Sequence, residues 1–373
     1  MNTMMYKVLM ILALLISTGL QGQGLFTDRG GRYILGTGTE RTASVSAGDI
    51  DGDGDMDVVV ANGRHWPQQN EVFVNNGRGV FTVSYPLEAT RATSYAAELA
   101  DLDGDGNLDV VVGNDMAPNA ILLNDGNGVF TYGGSFGAEY APTRNLTVCD
   151  IDRDGDVDIL ITNRGAPNQI CLNDGQGTFA ETRPFGSEDD ATIDVEAADV
   201  DGDGDLDLIL ANRDGQQNRI WLNDGTGRFD RSIPFGTGSD ETRSVAVADM
   251  DHDGYPDIIT GNIGEVNGVY YGDSALSFSR FITFGGRDVL TYAVAVADLN
   301  NDGAPDIVEG NVRSVNAVYF NRGDRQGFER YPLGQNAAAT YDIIIADLNQ
   351  DGYPDIVEAN SDATNRYWLQ MRR

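Results

Sequence analysis

The sequence predicts an all-β protein, a seven-bladed β-propeller of four-stranded antiparallel blades. Three observations predict it. A nine-residue acidic loop, D-x-[DN]-x-D-G-x-x-D, opens at Asp49, Asp101, Asp150, Asp199, Asp249, Asp298 and Asp347, with starts 52, 49, 49, 50, 49 and 49 residues apart. A fixed period of this length marks a repeat architecture. Each loop is followed by a short aliphatic run such as Val58-Val-Val, Val110-Val-Val, Ile159-Leu-Ile or Leu208-Ile-Leu, which reads as a strand. Turns such as Asn223-Asp-Gly-Thr-Gly then signal a hairpin.

The acidic loop comes first because it carries chemistry. A hard cation such as calcium takes 6–8 oxygen ligands from a tightly curled segment. Side chains at loop positions 1, 3, 5 and 9 can converge on one ion. The expected ligand sets are Asp49, Asp51, Asp53 and Asp57; Asp101, Asp103, Asp105 and Asp109; Asp150, Asp152, Asp154 and Asp158; Asp199, Asp201, Asp203 and Asp207; Asp249, Asp251, Asp253 and Asp257; Asp298, Asn300, Asp302 and Asp306; and Asp347, Asn349, Asp351 and Asp355. About seven calcium sites are expected. Asn300 and Asn349 keep the oxygen and drop the charge, so those two sites should be weaker. Position 6 is glycine in every loop, from Gly54 to Gly352, where a sharp turn calls for positive φ. An EF-hand would need Glu at position 12 and flanking helices. Only Glu309 and Glu358 meet the first condition, and the flanks read as strands.

One full unit can be followed from Thr192. A strand at Asp194–Ala198 enters the loop at Asp199, and a second strand follows at Asp207–Ala211. A connection at Asn212–Asn218 leads to a third strand at Arg219–Leu222, and a fourth starts at Phe229. After the last loop the sequence supplies only a second and a third strand. The missing fourth strand is expected from the N-terminus, where Gly22-Gln-Gly-Leu-Phe26 matches Gly175-Gln-Gly-Thr-Phe179. Closing the ring in this way removes an open sheet edge. The propeller is expected over residues 25–370 as one domain.

These loops and strands resemble the FG-GAP/VCBS repeat family, calcium-loop propellers that include the integrin α-subunit head and some fungal and bacterial lectins. The resemblance covers nearly all of the chain after the leader. It implies the fold and the metal. Function on such a scaffold lies in the loops.

Formal net charge is −33, and seven divalent ions would bring it to about −19 (−33 + 14). Most of the acidity is therefore ligand. Lys7 is the only lysine, no basic stripe exists, and nucleic-acid binding is not expected. Residues 1–22 read as a signal peptide, with Lys7, an apolar run from Val8 to Ile16 and small residues at a cleavage region within 19–24. A secreted or periplasmic monomer without membrane insertion is expected. Cys149 and Cys171 fall on first and third strands, about 9.5 Å apart. That is beyond disulfide reach, so both read as small buried apolar residues.

The calcium face is repetitive and reads as structural clips. The opposite face varies. Its second-to-third-strand connections are bracketed by Asn pairs from Asn62/Asn70 to Asn360/Asn365, expected to cap turns through the backbone. The longest connection holds Arg64, His65 and Trp66. Exposed, Trp66 would suit sugar stacking or a protein hot spot; the alternative is packing on the next blade. Seven residues before each loop stands a hydroxyl, Thr42 to Thr340, expected to bond backbone. The residues after it are Ala43, Tyr95, Arg144, Ile193, Arg243, Tyr292 and Tyr341, at the channel mouth. Tyr and Arg there could grip a glycan or a carboxylate, or simply pack between blades. No catalytic triad is visible, and His252, at loop position 4, reads as idle. The expected function is a calcium-binding recognition module for a glycan or an extracellular protein. The alternatives are a polysaccharide lyase using the Tyr/Arg ring and a purely structural extracellular protein.

Overall fold

The computed structural model describes residues 25–323 and 327–371. The expected leader, residues 1–22, and the cleavage region up to residue 24 lie outside the described residues. Seven antiparallel sheets surround a central channel. Each runs inner to outer in sequence order, blade 1 being Thr42–Gly48, Asp57–Asn62, Glu71–Val74 and Val83–Pro86. The innermost strands, from Thr42–Gly48 to Thr340–Ala346, touch their neighbours in turn, and the seventh meets the first. The ring is closed.

Closure uses the N-terminus as expected, but in two pieces. Phe26–Thr27 pairs with Gln370 and Leu369, and Ile34–Leu35 pairs with Arg366 and Asn365. The intervening residues swing out through Arg29, Gly30 and Gly31, all at positive φ. In blade 4 the fourth strand begins at Arg231, two residues later than the sequence suggests.

The second strand of each blade explains the aliphatic runs. Asp57–Asn62, Asp158–Asn163 and their counterparts are buried at every position, because both faces of the sheet pack against neighbouring blades. Blade 7 meets blade 1 through Val357, Ala359, Tyr367 and Leu369 against Val45, Val58, Val60 and Phe73. Each such side chain contributes about 1.5–3 kcal/mol by leaving water.

The recurring hydroxyls and Asn pairs do more than cap turns. Thr192 Oγ1 donates to Asn212 Oδ1 (2.9 Å), the Asn212 backbone N–H donates to Asn218 Oδ1 (2.7 Å), and Asn218 Nδ2 donates to Thr242 Oγ1 of the next blade (2.8 Å). The seventh blade passes the same link to the first, through Asn365 Nδ2 and Thr42 Oγ1 at 3.0 Å. The hydroxyl therefore bonds an Asn side chain, not backbone as expected, and the bracket stitches blade to blade. Glu309 and Glu358 sit inside this network, accepting from Asn267 and Asn316 at 2.8 Å each, well away from any acidic loop.

Candidate functional site

Two sites stand at opposite ends of the strands. At one end are the acidic loops. In all seven, the position 6 glycine N–H donates to the position 1 aspartate, as Gly54 to Asp49 at 3.0 Å and Gly352 to Asp347 at 2.8 Å. Gly54 has φ 88°, the left-handed turn that curls the loop. Position 2, an apolar residue such as Ile50, Leu102 or Leu348, is buried beneath the loop and anchors it. The aspartate at position 9 is buried too. Asp207 accepts the N–H groups of Val200 (3.0 Å) and Asn223 (2.8 Å). Despite these bonds, burial pushes the carboxyls of Asp57, Asp109, Asp158 and Asp207 up to about 6. Those of Asp257, Asp306 and Asp355 rise to about 7 for the same reason.

The residues present fit a divalent cation. In five loops three carboxylates bring oxygens within 4.8 Å of one another: Asp49/Asp51/Asp53, Asp101/Asp103/Asp109, Asp150/Asp152/Asp158, Asp199/Asp201/Asp203 and Asp249/Asp251/Asp257. Asp150 Oδ1, Asp152 Oδ1 and Asn349 Oδ1 are buried with no hydrogen-bond partner. A buried acceptor without a partner is costly, and a cation would supply one. The loops carrying Asn300 and Asn349 do not gather three carboxylates, in line with their lost charge.

At the other end the residue after each hydroxyl sits in a β-bulge. The register slips at Ala43, Tyr95, Arg144, Ile193, Arg243 and Tyr341, and likewise at Tyr292. A bulge re-aims its side chain out of the ladder. Here the bulges bring the expected residues together at the channel mouth. The rings of Tyr292 and Tyr341 meet edge to face at 4.7 Å. The Arg243 guanidinium lies 5.4 Å from the centre of the Tyr292 ring, and that of Arg144 lies 4.3 Å from Tyr95. Arg144 is paired with Asp115 at 2.9 Å. Of the alternatives posed by the sequence, packing is seen: Tyr95, Ala43 and Ile193 are buried, and the Tyr and Arg side chains lie against one another.

The long loop of blade 1 completes the ring. Ala43 is small, and Arg64 reaches in to lie 3.8 Å from the centre of the Tyr341 ring. Gly63 permits this path: at φ 107° any Cβ would collide with the Ala92 carbonyl. His65 adopts φ 74°, a strained setting for a non-glycine residue. Its Nε2 is 3.0 Å from Arg64 Nη1, and its Nδ1 is 3.0 Å from Tyr95 Oη. A guanidinium only donates, so Nε2 accepts and Nδ1 carries the proton toward Tyr95. The Tyr95 hydroxyl proton is then free for another partner. Desolvation, then Arg64, Arg144 and Arg41, hold the imidazole below its ordinary range. Trp66 is 64% exposed, so it does not pack on the next blade. On the same face, Met116 and Tyr140 are each 62% exposed.

Below the mouth the channel holds residues that sequence reasoning missed. Glu98, Asp194, Glu196 and Asp342 line a cavity of about 540 Å³ with Asn145, Thr147 and Ser244. Asp342 accepts the Val45 N–H at 3.0 Å, and Asp194 accepts the Val245 N–H at 2.9 Å and the Asn145 amide, clipping adjacent blades. Burial raises all four carboxyls: Glu196 to about 8, Asp342 to about 6, Glu98 well above its ordinary value. The missed signal was an acid two or four residues after the hydroxyl. Cys149 lines the same inner strand and is only half-buried, unlike the expectation; Cys171 is buried, and both thiols are free. His252 is exposed, as expected of an idle residue.

A ring of calcium-type loops on a four-strand repeat defines a repeat propeller. The FG-GAP-like repeat model matches residues 13–60, 58–112, 101–161, 150–210, 199–260 and 298–358. The chain belongs to that family. No curated protein matches its sequence. Similar solved structures include BBS1N in complex with ARL6DN, in crystals soaked with mercury and with lead. Each is 10% identical, with a TM-score of 0.62, and the match covers 94% of this chain and 98% of the other. That likeness shows the fold.

Proposed function

We propose that the chain is a secreted recognition propeller, clipped by calcium on one face and binding a glycan on the other. The observation that carries this reading is the mouth: three arginines, three tyrosines and His65 converge there, with Trp66 beside them. Bulges in five blades turn Tyr95, Arg144, Arg243, Tyr292 and Tyr341 out of the ladder, and the blade 1 loop adds Arg64 and His65. The acidic loops suit calcium, since their donors are carboxylates and amide oxygens in a tight curl. The extracellular setting rests on the N-terminal leader read in the sequence and on the millimolar calcium found outside cells. A second reading, an extracellular protein as ligand, is favoured by the exposure of Trp66, Met116 and Tyr140 on one face.

Glycan-array binding of the calcium-loaded chain tests the proposal, with Trp66→Ala as the probe. Saccharide binding weakened by the variant is expected. Polysaccharide cleavage without retention of the product would replace this reading with a lyase. Binding of protein ligands alone would replace it with the second reading.

A further inference from the structure

We propose that the mouth selects a carboxylate-bearing sugar, a terminal hexuronate residue held by Arg243 and Arg64; this rests on the mouth-face recognition reading above. The charge balance points there. Arg144 is matched by Asp115 at 2.9 Å. Arg64 has no ion-pair partner among the described residues: Nη1 meets His65, Nη2 meets Ser361 Oγ at 3.3 Å, and Nε is buried without an acceptor. Burial loosens the Arg243 guanidinium's hold on its proton, and the nearby Asp194 only partly opposes this. The Asp194 oxygens, however, are taken by Asn145, Val195 and Val245. Among the described residues, none accepts a hydrogen bond from the Arg243 guanidinium. In a chain of net charge −33, two guanidinium groups thus stand at one opening with donors to spare.

Both are also held in place. Each lies over a tyrosine ring, Arg64 on Tyr341 and Arg243 on Tyr292, and those two rings touch. Stacking fixes the plane of a guanidinium, so Arg243 can meet a planar carboxylate through two parallel bonds, while Arg64, with Nε buried, adds a contact through its Nη groups.

The remaining groups suit a sugar more than an acidic side chain of a protein. Tyr95 offers a free hydroxyl proton beside His65. The cavity below is polar, lined by Asn145, Thr147, Ser244 and the four channel acids, whose carboxyls burial pushes toward the protonated form. Such a surface hydrogen-bonds hydroxyls in both directions. Trp66 provides an exposed ring for a second sugar. The acidic rim, with Glu188, Asp189 and Asp190 in the connection before blade 4, repels a long polyanion. A single terminal uronate avoids that repulsion.

The test is calorimetric titration of the calcium-loaded chain with three ligands: a hexuronate-terminated oligosaccharide, its carboxyl-reduced neutral counterpart, and that reduced counterpart carrying one sulfate ester in place of the carboxylate. The uronate should bind at least tenfold tighter than its reduced form. Arg243→Gln and Arg64→Gln should each erase most of that preference, and Arg243→Lys should keep part of it. Arg183→Gln, on an outer strand, should change nothing. Unfolding midpoints of the variants report whether each has folded, and Arg64, on a loop, is the safer position. Equal affinity for the neutral sugar, lost in Trp66→Ala, would overturn the carboxylate assignment and leave the recognition reading standing. Preference for sulfate would overturn the uronate. Uronate binding that survives Arg64→Gln, Arg243→Gln and Trp66→Ala would move the ligand off the mouth and overturn both. Absence of binding by all three ligands would overturn the uronate assignment, with the glycan array then deciding the broader reading.

Discussion

The half-buried channel glutamates and the buried position 9 aspartates of the loops both have raised carboxyls, yet they face opposite demands. Glu196 in the folded chain releases its proton at about 8, against an ordinary 4.5, through burial first and the nearby Asp194 charge second. Between those two values the folded state holds a proton that the unfolded chain has lost. Stability from this group is therefore greatest below pH about 4.5 and falls as the pH rises toward 8. Glu98, Asp342 and Asp194 face the same space, and their carboxyls are raised in the same direction. Glu196→Gln removes the penalty. Its melting temperature should exceed that of the wild type by a growing margin from pH 5 to pH 9, reaching a few degrees, since channel water screens the group. A margin independent of pH would contradict this. The loop acids should behave differently if a cation binds them as proposed, since it would offset their charge. Asp203→Ala should weaken calcium binding more than Asn349→Ala, since only the first removes a charge. Amide exchange in blades 4 and 7 during a calcium titration would read the difference, and equal loss of protection in both blades would contradict the assignment.

Among the elements, the inner strand carries most of the design. Its hydroxyl joins the buried hydrogen-bond ring, its next residue bulges into the mouth, and the residue after that clips the neighbouring blade, as Ser44 does by accepting the Ala97 N–H at 3.0 Å. Asn218→Ala leaves the buried Asn212 N–H without an acceptor and removes the donor to Thr242 Oγ1, which keeps only its own bond to Asn262. It should cost about 1–3 kcal/mol. Asn127→Ala, on an exposed turn, should stay within about 0.5 kcal/mol. Denaturant unfolding of the two variants compares them. The positions of these residues were legible in the sequence because they repeat. Their roles were not. A bulge leaves no mark in a hydrophobic pattern, so the aim of Tyr95 or Arg243 could be placed at the mouth but not explained. The hydroxyl-to-Asn bonds join residues 20 or 24 apart in sequence, within a blade as Thr192 to Asn212 and across to the next blade as Asn168 to Thr192. The partnership of Arg64 with Tyr341 spans the ring closure and has no local signature at all.

For the whole molecule, the acidic loops decide both fold and charge. The loop period and the N-terminal strand predicted the number of blades and the closure, and both are found. The channel carboxylates were hidden because they occupy only three of the seven repeats, at two or four residues after the hydroxyl, among 58 acids. A net charge of −33 is self-repulsive, and each divalent ion bound as proposed would cancel charge and pin a hairpin. Binding to the folded state alone adds RT ln(1 + [L]/Kd) per site, about 2.7 kcal/mol at a hundred times Kd. Thermal unfolding in millimolar calcium and in excess chelator measures this directly. A melting temperature lower by ten degrees or more in chelator, restored by calcium, is the predicted result. The same melting temperature in both would mean that the acidic loops are turns held by their own backbone bonds, and the calcium-clipped propeller would be contradicted.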